Sequence, residues 1–184
     1  SPQKQFVDSA LRVANEHDVL IIHAAGNEAE NNDIIHHFPL NLDDNGNIIN
    51  DKFIVVGAST KEKGKNLVAG FSNYGGQTVD LFAPGEDIYS CNPSNKYSYA
   101  SGTSMASPVA TGVATIIRAY FPELSAKEVK EILMASVTKY NKKVYVPNPD
   151  GEIHTKAKFS TLSISGGIIN AYNAVKLAIE KTGN

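Results

Sequence analysis

The segment Ser101-Gly102-Thr103-Ser104-Met105-Ala106-Ser107-Pro108 runs directly into Val109-Ala110-Thr111-Gly112-Val113-Ala114-Thr115-Ile116-Ile117. A glycine-bearing turn thus carries a serine to the first turn of a long apolar segment. That segment is apolar on every side, which predicts a buried helix rather than an amphipathic surface one. The start of a buried helix leaves backbone N–H groups unpaired and carries partial positive charge. A serine oxygen placed there sits where developing negative charge is tolerated. Gly102 lets a ligand approach the backbone closely, and Thr103 is positioned to cap the helix. Pro108 lacks an N–H, which predicts a place near the first turn. A nucleophile held at a helix end has these features. A capped core helix without chemistry would carry the same local signals.

The seven residues Gly102 to Pro108 match, letter for letter, a longer pattern: they resemble the nucleophile motif of the subtilisin-like serine proteases. Upstream, the all-apolar run Val19-Leu20-Ile21-Ile22-His23-Ala24-Ala25 follows a helix over about Pro2 to Glu16. A helix followed by a fully apolar strand predicts a parallel sheet covered on both faces. That strand ends in Gly26-Asn27, and in open α/β sheets functional groups cluster beyond the carboxyl ends of strands. Taken alone, Asn27 also reads as an ordinary turn residue after glycine. In order before the serine motif, Ala24-Ala25-Gly26-Asn27 resembles the family motif whose asparagine donates to an oxyanion.

The resemblance implies a three-layer α/β/α fold with a mostly parallel sheet, incomplete at the N-terminal side. It assigns residues 1–184 to the C-terminal part of a peptidase domain. Ser104 becomes the nucleophile, Asn27 the oxyanion donor, and Ala24, Ala25, Gly26 and Thr103 substrate-contacting residues. The family's triad runs Asp, His, Ser. No Asp-Ser/Thr-Gly and no His-Gly-Thr-His pattern occurs here. The expected partners are therefore a polypeptide substrate and an N-terminal portion supplying Asp and His. A dimer through the truncated face is the alternative, and the chain alone is expected to be inactive. After Pro108 the family usually has histidine, where this chain has Val109. Family members are mostly exported, so the resemblance implies an extracytoplasmic protein.

The rest of the chain narrows this reading. The 42% hydrophobic and 20% charged content suits one globular domain or a large part of one. A net charge of -2 gives no reason to expect nucleic acid or an anionic membrane as partner. No apolar run reaches membrane-spanning length, and no signal peptide stands in these residues. The single Cys91 excludes an internal disulfide framework.

Asp43-Asp44-Asn45-Gly46-Asn47 predicts a tight hairpin turn. Its oxygens invite calcium, but the glycine is misplaced for an EF-hand loop, so no cofactor is expected. Phe38-Pro39 falls where family members have an aromatic–proline pair, and a cis bond is expected there. His36-His37 is expected to be a surface pair. His23 is expected to be a buried, hydrogen-bonded core residue, and His17 ends the first helix.

Phe53 to Ala58 predicts a second buried strand. Phe71-Ser72-Asn73-Tyr74-Gly75 and Asp80-Leu81-Phe82-Ala83-Pro84-Gly85 also resemble family segments. Asp87 to Ser90 predicts a short strand and Tyr97 to Ala100 a hairpin-like stretch. Ser125 with Glu128 has capping-box spacing for a helix to Val137. Lys139 to Lys158 reads as a loop or surface hairpin, and Gly167 to Lys181 as a last helix. One different chemistry fits the order Ser, Asp, His: an esterase elbow at Ser104 served by Asp150 and His154. The short polar segment before Ser104 argues against it, and the presence of Ser104 and Asn27 in full motifs argues against the other alternative, a non-catalytic protease-like scaffold.

Overall fold

The computed structural model describes residues 3–151 and 155–183. In chain order the elements are α1 (Lys4–Glu16), β1 (Ile21–Ala24), β2 (Phe53–Ser59) and β3 (Leu81–Pro84). Next come β4 (Ile88–Asn92), β5 (Lys96–Ala100), α2 (Thr103–Tyr120) and α3 (Ala126–Ala135). Then follow β6 (Thr138–Lys139), β7 (Lys143–Tyr145), β8 (Lys156–Lys158), β9 (Gly167–Ile168) and α4 (Ala171–Thr182).

Five strands form the central sheet in the order β1-β2-β3-β9-β6. β1, β2, β3 and β9 run parallel, with Ile21 opposite Phe53 and Val56 opposite Leu81; short β6 is antiparallel. Alternation along β2 sends its side chains to two cores. Ile54, Val56 and Ala58 face a cluster with Ala106, Ala110, Val113 and Ile117 of α2 and Val129, Ile132 and Leu133 of α3. Ala174 and Ala178 of α4 join the same cluster. Phe53 faces the other way, against Leu11 of α1 and Ile49. Phe82 and Val79 pack beside it with Phe159 and Val144. The result is a three-layer α/β/α arrangement with a mostly parallel sheet.

Several local expectations shift. The first strand is shorter than its apolar run and only half-buried, because β1 lies at the sheet edge and pairs with β2 alone among the described strands. The second helix is not buried all round. Its core side is sealed, but Ser104, Pro108, Thr111 and Thr115 are exposed, as are Ile116 and Tyr120. Pro108 lies inside α2, not at its first turn. The helix starts five residues earlier, so the proline merely deprives the Ser104 carbonyl of its usual helical donor. Residues 167–168 form sheet strand β9 rather than helix; α4 begins at Ala171, capped by Asn170 accepting the Asn173 N–H.

The Ser125–Glu128 capping box forms as expected. The Asp87–Ser90 and Tyr97–Ala100 stretches turn out to be the two arms of one hairpin, β4–β5, with Tyr89 opposite Tyr99 and Ser90 opposite Ser98. β7 and β8 pair across the predicted polar excursion, yet Val144 is fully buried beneath it. The Phe38–Pro39 bond is cis. The Asn45-Gly46 turn is closed by Asp43 N–H donating to Asn47 O. Asp43 Oδ1 accepts from the N–H groups of Asn45 and Asn47, which satisfies it within the turn. Among the described residues no three His, Cys, Asp or Glu side chains converge as metal ligands.

Candidate active site

The sheet delivers its chemistry at one end. β1 ends at Ala24, and the chain then turns sharply at Gly26, whose φ is 111°. α2 begins alongside, with Gly102 as its N-cap and no side-chain cap bond. Thr103 therefore does not cap the helix. Its side chain is fully buried and is spent on the neighbouring loop. The Thr103 hydroxyl accepts the Gly26 N–H at 3.2 Å and donates to Asn27 Oδ1 at 3.0 Å. The Thr103 N–H, one of the unpaired amides at the helix start, donates to the same Asn27 Oδ1 at 2.8 Å.

These bonds orient the Asn27 carboxamide. Only its oxygen can accept from a backbone N–H, so the oxygen faces Thr103 and Nδ2 faces away. The Asn27 side chain is exposed. Ser104, the second residue of α2, is exposed as well. Its Oγ has one polar contact, a long one of 3.9 Å to Met105 Sδ. The Ser104 N–H has no acceptor among the described residues, as expected for the first turn of a helix.

Gly102 fixes the relation of the two side chains. A Cβ built on it would lie 3.0 Å from Ser104 Oγ and 3.6 Å from Asn27 Nδ2. A single atom at that point touches both groups, and the absence of a side chain keeps the point open. Gly102 N–H donates to Gly85 O at 2.8 Å, which seats this turn against the end of β3. Beside Ser104 a cleft of about 300 Å³ runs between α2 and the β4–β5 hairpin, lined by Ile88, Ser90, Ser98, Ala100 and Met105.

The remaining sequence candidates are placed less directly. Ala24 is half-buried. Ala25 is 2% exposed and points into the core, so only its backbone can face the loop. Its carbonyl accepts from Asn32 Nδ2 and Asn73 Nδ2. Asn73 lies in the Phe71–Gly75 segment that resembles the family, and no local pattern in the sequence signals its part in this loop.

None of the described histidines is bonded to Ser104. His23 stands on β1 facing Phe53, with ring centroids 5.7 Å apart. It is only half-buried, and its ring makes no hydrogen bond among the described residues, unlike the bonded core residue expected. Burial holds its pKa below the usual histidine value. His37 is not a free surface residue: it contacts Glu30 at 2.8 Å and Glu28 at 3.8 Å.

Asp150 occupies the exposed turn between β7 and β8, where Gly151 N–H donates to Asn148 O. That turn borders a different cavity, one without Ser104. His154 lies outside the described residues. A further cavity of about 240 Å³ contains His23, Asn32, Phe53, Asp80 and Lys130, but neither Ser104 nor Asn27. Burial pushes the Asp80 carboxyl up, although the Lys130 ammonium and the Val55 N–H oppose this.

The model of the subtilase family (peptidase S8) matches residues 1–154. The chain belongs to the subtilase family. Subtilisin DY of Bacillus licheniformis is 39% identical over 95 residues, covering 52% of this chain and 33% of that protein. The cell wall-associated protease of Bacillus subtilis (strain 168) is 37% identical over 117 residues, covering 63% of this chain and 11% of that protein. Among solved structures, a prenylagaramide maturation protease superposes with a TM-score of 0.66 at 26% identity, over 94% of this chain and 55% of its own. The subtilase cytotoxin assembly gives a TM-score of 0.70 at 23% identity, a likeness of fold. This subtilase chain thus spans about a third of the length of Subtilisin DY and about half of the matching structures. Family membership displaces the esterase reading: the serine motif is the subtilase one, and Asp150 is not part of its surroundings.

Proposed function

We propose that residues 1–184 are the serine-bearing, C-terminal part of a subtilisin-type peptidase domain that cleaves polypeptides through an acyl-enzyme on Ser104. The observation that carries this reading is the convergence of Ser104 Oγ and Asn27 Nδ2 on one open point at Gly102. In the complete protein, a histidine from an N-terminal portion takes the Ser104 proton, and an aspartate from that portion orients the histidine. Ser104 Oγ attacks the peptide carbonyl. Asn27 Nδ2 and the Ser104 N–H, already fixed in place, receive the negative charge on the carbonyl oxygen. The amine leaves with the proton held by the histidine, and water then releases the acyl group. Ala24 to Asn27 form one wall for the residue before the scissile bond. No metal takes part in these steps.

The open edge of β1 and the exposed side of α2 are where the N-terminal portion docks; pairing of two copies there is the competing outcome. An exported protein fits this activity, in keeping with the cell-wall association named for one relative. The test is hydrolysis of a peptide substrate by the full-length protein. Ser104→Ala should abolish it, along with labelling of the protein by a fluorophosphonate. The isolated 184-residue chain should neither turn over substrate nor label, because its serine is an un-ionised alcohol without a base. Turnover by the full-length Ser104→Ala variant would overturn the reading.

A further inference from the structure

We infer that Asn73 is a positioning residue for the Asn27 carboxamide, holding the oxyanion-donor loop in register from its buried side. The inference rests on the functional reading above. The loop from Ala25 to Glu30 is conformationally demanding. Gly26 and Ala29 both have positive φ, 111° and 58°, and an alanine rarely adopts such a backbone. Such geometry persists only where the surroundings over-determine it.

Asn73 supplies most of that determination. It is fully buried. Its Oδ1 accepts the N–H groups of Glu28 at 2.9 Å and Glu30 at 3.0 Å. Its Nδ2 donates to Ala25 O at 3.2 Å and to Glu28 Oε2 at 2.8 Å. Its backbone N–H donates to Gly26 O at 3.0 Å. One residue thus grips the chain on both sides of Asn27. The neighbours of Asn73 continue the seam: Ala29 N–H donates to Phe71 O, and Tyr74 N–H donates to Glu30 O.

The fit explains Gly26 as well. A Cβ there would lie 2.4 Å from Asn73 Nδ2, inside contact distance. The carboxamide is also chemically specific. An aspartate would lose the donor to Ala25 O and set a second carboxylate against Glu28. A serine is too short to serve Glu28, Glu30 and Ala25 together. Asn73 does not border the Ser104 cleft, so it acts through Asn27: Thr103 fixes the side chain of Asn27, and Asn73 fixes the backbone that carries it.

The test is a double-variant cycle in the full-length protein, with folding checked by thermal unfolding. Asn73→Ala should lower kcat about 10- to 100-fold with little change in KM, the scale expected for a small misplacement of a catalytic group. Asn73→Asp should fall as far. The Asn27→Ala/Asn73→Ala variant should be no slower than Asn27→Ala alone, because both changes remove one function. If Asn73→Ala does not fold, Asn73→Ser carries the same comparison. Effects that multiply in the double variant, or a folded Asn73 variant with wild-type kcat, overturn this inference and leave the functional reading standing. Full activity in Ser104→Ala overturns the functional reading, and this inference falls with it.

Discussion

Gly102→Ala separates the chemistry of the site from its stability. The added methyl would stand 3.0 Å from Ser104 Oγ, 3.6 Å from Asn27 Nδ2 and 3.6 Å from Met105 Sδ. The first neighbour is the free end of an exposed side chain, which can move aside. The backbone is less tolerant: Gly102 has φ 159° and ψ 160°, a conformation that alanine rarely adopts. The unfolding free energy should therefore fall by about 1–3 kcal/mol. Catalysis should respond differently. The methyl occupies the point that both groups reach, which is where a substrate carbonyl oxygen must come within about 2.7–3.1 Å of its donors. In subtilisin itself, loss of one such side-chain donor costs about 10²–10³ in turnover, or roughly 2.7–4 kcal/mol. Excluding the oxygen from Asn27 and the Ser104 N–H together should cost at least the upper end, about 10³ in kcat/KM. The assay is hydrolysis of a chromogenic peptide by the full-length protein, with thermal unfolding and the rate of fluorophosphonate labelling measured in parallel. A folded Gly102→Ala variant that keeps kcat/KM within about tenfold of wild type would refute the reasoning, since the carbonyl would then not bind at that point.

Other perturbations test the scaffold. Ser125→Ala removes the side-chain half of the capping box, the Ser125 hydroxyl that accepts the Glu128 N–H, and leaves the residue-125 N–H donating to Glu128 Oε2. It should destabilise α3 by about 1 kcal/mol, read from chemical denaturation. Asp18 accepts the Ala126 N–H and pairs with Arg118 at 2.9 Å, tying the end of α1 to α2 and α3. Burial alone would raise its pKa, but those two partners outweigh it and hold the carboxyl below the ordinary value of 3.8. Because the folded pKa is lowered, the stabilisation is present above the unfolded value and is lost as pH falls through the folded one. Asp18→Asn should cost about 0.5 kcal/mol at pH 7, the pair being partly exposed. That difference from wild type should vanish in acid, as followed by unfolding at a series of pH values. The exposed side of α2 gives a fourth expectation. Tyr120 is 77% exposed there, and Tyr120→Glu should weaken association with an N-terminal portion in a pull-down while leaving the fold intact.

Much of this was legible in the chain itself. The apolar runs that became β1 and β2 and the Ser125–Glu128 box follow from local pattern, while the pairing of Asn27 with Ser104 is what the resemblance to the family implies. What was not legible depends on which segments meet. Asn73 stands 45 residues from the Glu28 amide it holds, and no periodicity links the two. Thr103 has the residue type and position of a cap, yet its hydroxyl is drawn to Gly26 and Asn27 because β1 ends beside it. Pro108 pointed to a later helix start, but a proline costs less where the carbonyl it orphans, that of Ser104, lies at an exposed first turn. Helix α2 reads as buried all round because composition cannot tell which neighbour covers each side. Gly167-Ile168 reads as part of the last helix because two residues are too few to show strand alternation.

The most direct test is the structure of the full-length protein bound to a peptide boronate or aldehyde, which forms a tetrahedral adduct on an attacking serine. The account predicts a covalent bond to Ser104 Oγ, with an adduct oxygen about 2.7–3.1 Å from both Asn27 Nδ2 and the Ser104 N–H. An adduct on another residue, or an oxygen turned to solvent with the Asn27 amide unengaged, would contradict it.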